Sequence, residues 1–470
     1  MVRKTLSAIK HKISLFTLIM ISSALVISVR NFPTEAETGM QMIFFALFAA
    51  IGFFIPVALV SAELATLLPK QGGIFAWVKA AFGDRFGFVS SWLQWTYMMI
   101  GSVPMLYFIA GSLAFVMMPA LAHSKPFMAL IVLLVTWAAT IYNFRGLKAS
   151  GKISTYGFLL GVLIPGVLII LFGIIYWVTG NPIQMNMSLT AKNIIPDLSK
   201  LTTLVLLVGF MRTFTGIEVS ASHANEVKNP GRNYPLAILV VVVLALALNI
   251  LGSLAVAIVV PQQQISLAAG LMEAFKVFFG QFHLAWLVPV LAILTAIGAL
   301  GEITTWTLGP VKAVYASAKT GALPKFFNKE NKKGIPVRLL IVQATVISLI
   351  GCGLLLMPKL NTAFWMANAM ACCIYFFMYA MMILACLKLR YSMPKAKRAY
   401  KIPGGWFGIW LVSLVGLATL VFGFIIAFLP PAQLHVTDAT AYLTITIGGI
   451  TTLLIVPFII FALRKVWQTR

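Results

Sequence analysis

The sequence predicts an all-α polytopic membrane protein with 12 transmembrane helices, and three observations carry that prediction. Hydrophobic residues make up 61% of the 470 positions and charged residues only 10%, whereas a soluble domain carries about 25% charge to cover its surface. Apolar runs of about 20 residues, enough to cross a hydrocarbon core about 30 Å thick, recur along the whole chain. The net charge of +24 falls unevenly between alternate loops.

The runs lie at 13–30, 40–67, 85–118, 127–143, 153–179, 201–224, 235–260, 284–318, 337–357, 361–388, 406–429 and 440–463. The first is followed by many more and has no small-residue cleavage site, so it reads as a span and not as a signal peptide. One set of loops, with both termini, holds most of the lysine and arginine, including Lys79, Arg85, Arg145, Lys332, Arg338, Arg390 and Arg398. The opposite set has only Lys125, Lys192, Lys200, Lys276 and Lys359. By the positive-inside rule both termini are cytoplasmic. The basic charge is therefore topology, and nucleic acid is not an expected partner.

Cys352, Cys372, Cys373 and Cys386 all fall within spans and lack metal-site spacing, so they read as small buried apolar residues. His11, His123, His223, His283 and His435 are dispersed. Neither a metal, a cofactor nor an enzymatic cluster is expected. The polar connections (179–200, 318–336 and 389–405 are the longest) carry helix-stopping Pro and Gly and no fold of their own. The chain is one membrane domain. A homo-oligomer is compatible with the sequence but not required by it.

Spans 1 and 6 stand apart from the rest. Span 1, "SLFTLIMISSALVISVRNFPTEAETG", is interrupted by Ser22, Ser23 and Ser28 before Arg30 and Pro33; span 6, "VLLVGFMRTFTGIEVSASHANE", is interrupted around Arg212–Gly216. A repeat of five spans would enter the membrane inverted, and interrupted helices at corresponding places point to a ligand path at the midplane. A charge at the bilayer centre costs about 2.5–3.5 kcal/mol even on the lenient insertion scale. Arg212 and Glu218 thus need partners, water or a ligand. Six residues apart, they would face opposite ways on an unbroken helix. Unwinding at Gly209, Thr213, Thr215 and Gly216 would expose backbone groups that only a wet cavity tolerates, and a helix N-terminus suited to a carboxylate. Structural pairing without a ligand is the competing reading.

Three ordered motifs resemble the amino acid–polyamine–organocation (APC) superfamily: "SAELATLLPKQGGIFAWVKAAFG" (61–83), "GIEVSASHANEVKNPGRNYPLAI" (216–238) and "GPVKAVYASAKTGALP" (309–324). "FIPVALVSAELAT", "VPMLYF", "GEITTWTLGP" and "FLPP" bring the sequence closest to the bacterial glutamate/γ-aminobutyrate antiporter family. The resemblance implies a LeuT-like 5+5 inverted repeat with broken helices 1 and 6. The first five-helix repeat would be 13–179, the second 201–388, and two further helices would occupy 406–463. It also implies alternating access, an amino acid as substrate, and a bacterial inner (cytoplasmic) membrane as the location.

Carried onto this chain, the resemblance puts Ser22, Ser23 and Ala24 at the span-1 break, reading an α-carboxylate. Phe214 and Gly216 would form the span-6 break, followed by the acidic Glu218. Glu302, Trp306, Tyr375 and Tyr379 would line the pathway. Lys70, Gly72 and Gly73 read as a turn that shapes the fold. The sequence departs from the family at Arg212, usually apolar or aromatic, and at Arg30 and Phe32, which stand where tyrosines are usual; Glu35 and Glu37 follow. Arg212 would either bind an acidic side chain bidentately or pair with Glu218 or Glu302. Exchange leads as the transport mode. Proton symport with Glu218 or Glu302 as carrier is the alternative, and a non-transporting amino acid sensor is the reading outside that class.

Overall fold

The computed structural model describes residues 14–68, 73–146, 153, 155–221, 227–357, 359–431 and 439–468. Lys70, Gly72, Lys152, His223 and Glu226 lie outside them. Among the described residues, twelve helices are long and apolar enough to cross a membrane, one at each expected place. Those that matter for the site are spans 1 (Leu15–Ala36), 2 (Gly39–Leu67), 3 (Asp84–Met117), 5 (Thr155–Val178), 6 (Leu201–Val219), 7 (Gly231–Val259), 8 (Leu287–Lys319) and 10 (Leu360–Ser392).

Burial separates the centre from the periphery. In span 3 the apolar window is 89% buried inside the protein, and in span 12 (Thr440–Ala462) only 22%. Span 3 packs along spans 8 and 10 and reaches the span-6 break through single side chains. Two helices fall where the sequence suggests only loops: Ile74–Phe82 between spans 2 and 3, and Gly270–Gln281 between spans 7 and 8. Each is too short and too mixed in polarity to stand out by hydropathy. The turn into the first uses Gly73 at φ +48°, a conformation that favours glycine.

Spans 2 and 5 share a device. Each widens into one π-helical turn, Ala50–Phe54 and Leu159–Leu163, just before a proline, Pro56 and Pro165. A proline inside a helix clashes with the carbonyl four residues earlier, and widening the turn relieves that clash. The residue four earlier is a glycine in both, Gly52 and Gly161. The bare backbone at Gly161 lies against Leu294 and Gly298 of span 8, so close that a Cβ at either glycine would collide with main chain.

At one end of the bundle, a buried ion cluster fastens span 2 to span 10 and to the segment that follows it. Glu63 accepts from Arg390 Nη2 at 2.6 Å, from Arg390 Nε at 2.9 Å and from the Ile402 N–H at 2.8 Å. Arg398 Nε adds an ion pair at 3.3 Å. Thr66 Oγ1 donates to the Tyr400 carbonyl, and the Tyr400 N–H donates back to it.

The two interruptions are present, one of them displaced. Span 6 is helical over Leu206–Thr213, breaks at Phe214, Thr215 and Gly216 (φ +106°), and resumes at Ile217–Ala221. Of the serines expected to interrupt span 1 only Ser28 lies in the break, and the helix does not open at Ser22–Ala24 as the resemblance implies. It stays helical through Val26, and the Ile27 N–H still donates to the Ser23 carbonyl. The extended backbone falls at Ile27 (φ −93°, ψ 123°) and Ser28 (φ −146°, ψ 128°). Serine hydroxyls are tolerated inside a helix, whereas Ser28 is drawn out of it by a side-chain bond to span 8.

Candidate substrate site

The span-1 break is held from across the bundle. Ser28 Oγ donates to Glu302 Oε2 at 3.0 Å, and Arg30 Nη2 donates to Glu302 Oε1 at 2.8 Å. Arg30 and Glu302 are both more than nine-tenths buried. Arg30 sits in a short 3-10 turn, Val29–Asn31, directly past the extended residues. The break therefore aims a guanidinium at span 8, where an acid one turn before Trp306 answers it.

The span-6 break carries an aromatic and acidic cluster. The Tyr375 hydroxyl donates to Glu218 Oε1, Tyr379 Oη donates to Oε2 at 2.6 Å, and Gln94 Nε2 donates to Oε1 at 3.3 Å. Tyr379 Oη also accepts from the Gly216 N–H at 3.0 Å. Tyr97 stacks on Tyr375 with ring centroids 3.8 Å apart, and its hydroxyl lies 2.7 Å from Thr215 Oγ1. The Trp306 ring lies over Gly216, where a Cβ would overlap it. Phe214 stacks on Phe54 of span 2, with centroids 4.9 Å apart.

Arg212 is 6% exposed. Its Nη2 donates to the Gly101 carbonyl of span 3 at 2.8 Å, and its Nε has no partner among the described residues. The expected pairing with Glu218 or Glu302 is not formed: the tyrosines and Gln94 occupy the first, and Arg30 holds the second. Arg30 Nη1, Trp306 Nε1 and Ser23 Oγ are also buried without a partner. Four unmade hydrogen bonds thus surround the two breaks, where each buried orphan costs about 1–3 kcal/mol.

The remaining expected residues are placed as follows. Ser22 and Ser23 are buried and Ala24 half-buried, all on the last turns of the first half of span 1. Phe32 is fully buried, but it packs on Gly252 of span 7 and beside Gly166 of span 5. It is a core residue away from the cluster, because the turn at Val29–Asn31 rotates it to the opposite face from Arg30. Gln94, Tyr97 and Phe54 join the site without having been expected. A glutamine and a tyrosine three apart inside span 3 were the available signal.

The sequence matches the profile of the amino acid permease family over residues 13–450. It is 36% identical over 450 residues to an uncharacterized transporter of Legionella pneumophila, covering 96% of each chain. It is also 36% identical over 462 residues to a glutamate/gamma-aminobutyrate antiporter of Lactococcus lactis, covering 97% of this chain and 91% of the relative. A probable agmatine/putrescine antiporter of Lactococcus lactis is 24% identical over 464 residues, covering 96% and 95%. With a profile match over nearly its whole length, twelve membrane-crossing helices and two interrupted spans meeting at a buried polar centre, the chain belongs to the amino acid permease family.

Proposed function

We propose that the protein is a secondary active antiporter that exchanges a glutamate-like amino acid for a related amino acid or its decarboxylated amine. Alternating access would run between two inverted five-helix repeats, 13–179 and 201–388, with both termini cytoplasmic in a bacterial inner membrane. The single observation that carries the acidic preference is Arg212, a buried guanidinium with one backbone acceptor and a spare N–H beside the span-6 break. A side-chain carboxylate supplies the missing acceptor, and arginine binds carboxylates through paired donors.

In this reading the extended backbone at Ile27 and Ser28, with Ser22, Ser23 and Ala24 leading into it, receives the α-carboxylate. Gly216 and Glu218 border the amino-group side. Trp306, Tyr375, Tyr379 and Phe214 close over the ligand, and the Arg30–Glu302 pair joins spans 1 and 8 beside it. The names of the Lactococcus lactis relatives support exchange between glutamate and γ-aminobutyrate.

Counterflow in proteoliposomes tests the proposal. Labelled glutamate should accumulate in vesicles loaded with γ-aminobutyrate or glutamate and stay out of empty ones. Equal uptake into empty vesicles, raised by an inward proton gradient, would make the protein a symporter. An absence of glutamate uptake under every loading would exclude the acidic substrate.

A further inference from the structure

Glu35 is a carboxyl that the substrate site does not use. It lies in the second half of span 1, past the break, and is 1% exposed. Thr213 Oγ1 of span 6 is 2.9 Å from Oε1, and Ser253 Oγ of span 7 is 3.1 Å from Oε2. Among the described residues, no cation contacts it. Glu63 and Glu302, by contrast, each face an arginine.

Counting hydrogens at Thr213 distinguishes the two forms of this carboxyl. The Thr213 hydroxyl lies within bonding distance of two acceptors, Glu35 Oε1 and the Gly209 carbonyl at 3.2 Å. It has one proton to give. If Glu35 is ionised, that one hydrogen must be shared between the two acceptors. If Glu35 is protonated, it donates to Thr213 Oγ1, Thr213 donates to Gly209, and Ser253 donates to Glu35. Every contact then holds a hydrogen.

The charged and titratable groups on the neighbouring elements are turned elsewhere. On its own helix, Glu37 accepts from Trp365 of span 10. On span 6, Arg212 donates to Gly101. On the helix Gly270–Gln281, Glu273 and Lys276 line a separate groove with His123. Span 7 offers Ser253.

We propose that Glu35 is a proton-binding site of the transport cycle. Thr213 is the last helical residue before the span-6 break, and Glu35 sits on the half-helix beyond the span-1 break, on the side of the bundle opposite the termini. A substrate entering from that side passes between these two half-helices. When they part, Glu35 loses Thr213 and meets water. A solvated glutamic acid, which titrates at about 4.3, then releases its proton at neutral pH. When the half-helices rejoin, a proton is taken up from that same side. A proton in a dry, cation-free site is a recurrent functional use of intramembrane carboxyls.

Infrared spectroscopy of the full-length protein in liposomes tests this without reference to any substrate. At neutral pH, the difference between wild type and Glu35→Gln should contain the C=O stretch of a protonated carboxylic acid, displaced by deuterium exchange. Thr213→Val should shift that band and keep it, and this variant alone decides if Glu35→Gln does not fold. Carboxylate bands in its place overturn the proposal. Transport supplies the second arm, run between mildly acid and mildly alkaline pH, where glutamate's own side chain stays ionised. Raising the pH on the face opposite the termini should slow counterflow by wild type. Glu35→Gln, whose amide reproduces the protonated bonding pattern, should be insensitive to it. Identical pH profiles for the two proteins would remove Glu35 from the cycle.

Discussion

Glu63 and Glu302 are both buried carboxylates facing arginine, yet their surroundings differ. The oxygens of Glu63, like those of Glu302, accept three hydrogen bonds, and around Glu63 a second arginine adds an ion pair. Around Glu302 the pairing stops short: Arg30 keeps an unpartnered Nη1, and Arg212 close to the same centre has one bond and an idle Nε. The first arrangement leaves one donor without a hydrogen bond, Arg398 Nε, but that donor still faces a carboxylate at 3.3 Å, so the cluster belongs to the fold. The second has donors left over at the two places where the helices come apart, which is what a site for an anionic ligand requires. In a membrane interior, where orphaned polar groups are costly, the difference separates a fastening from a binding centre.

Substitutions sharpen that contrast. Glu63→Ala should have the largest effect, because it leaves Arg390 and Arg398 buried without a counter-charge. The expected cost is about 3–5 kcal/mol, seen as a lowered unfolding temperature in detergent; unchanged stability would make the cluster ornamental. Arg212→Leu should do the reverse. Removing an under-satisfied charge should leave thermal stability level or raised, while uptake of acidic substrates falls by a factor equivalent to about 2–5 kcal/mol. Undiminished glutamate uptake would sink the role given to Arg212. Gly216→Ala combines a left-handed backbone with a Cβ against the Trp306 ring, and strain of about 1–3 kcal/mol should appear mainly as slower exchange. The smallest change is Tyr97→Phe, which deletes only the bond to Thr215. A loss of about 0.5–1.5 kcal/mol is expected, and a transport rate equal to wild type would show that this contact is packing alone.

Much of the fold was legible because hydropathy reports spans directly: a run of apolar residues has no other means of satisfying its backbone in lipid. The span-6 interruption was legible too, since Gly216 and its threonines disrupt an otherwise apolar helix. In span 1 the three serines read alike as breakers in sequence, whereas the helix carries Ser22 and Ser23 and yields only at Ile27 and Ser28. Partners were the least legible part. Arg390 and Arg398 read as loop charges on the basic side, and nothing local says that they converge on Glu63 more than three hundred residues earlier. For the same reason the partners offered to Arg212 from sequence, Glu218 and Glu302, were not the right ones, and its actual acceptor is a backbone carbonyl at Gly101, which no side-chain pattern reveals. Gln94 and Tyr97 face the site only because span 3 is enclosed on nearly all sides, a property of the assembled bundle.

The contact of Gly161 with Gly298 has a mechanical meaning. Two helices that touch backbone to backbone, with no side chains between them to act as bearings, cannot slide or roll past each other without first separating. Spans 5 and 8 therefore form a welded seam, and whatever swings during transport must swing as a flap against that seam. A covalent crosslink placed along it should leave exchange running. The same crosslink set between the second half of span 1 and the first half of span 6 should stop it.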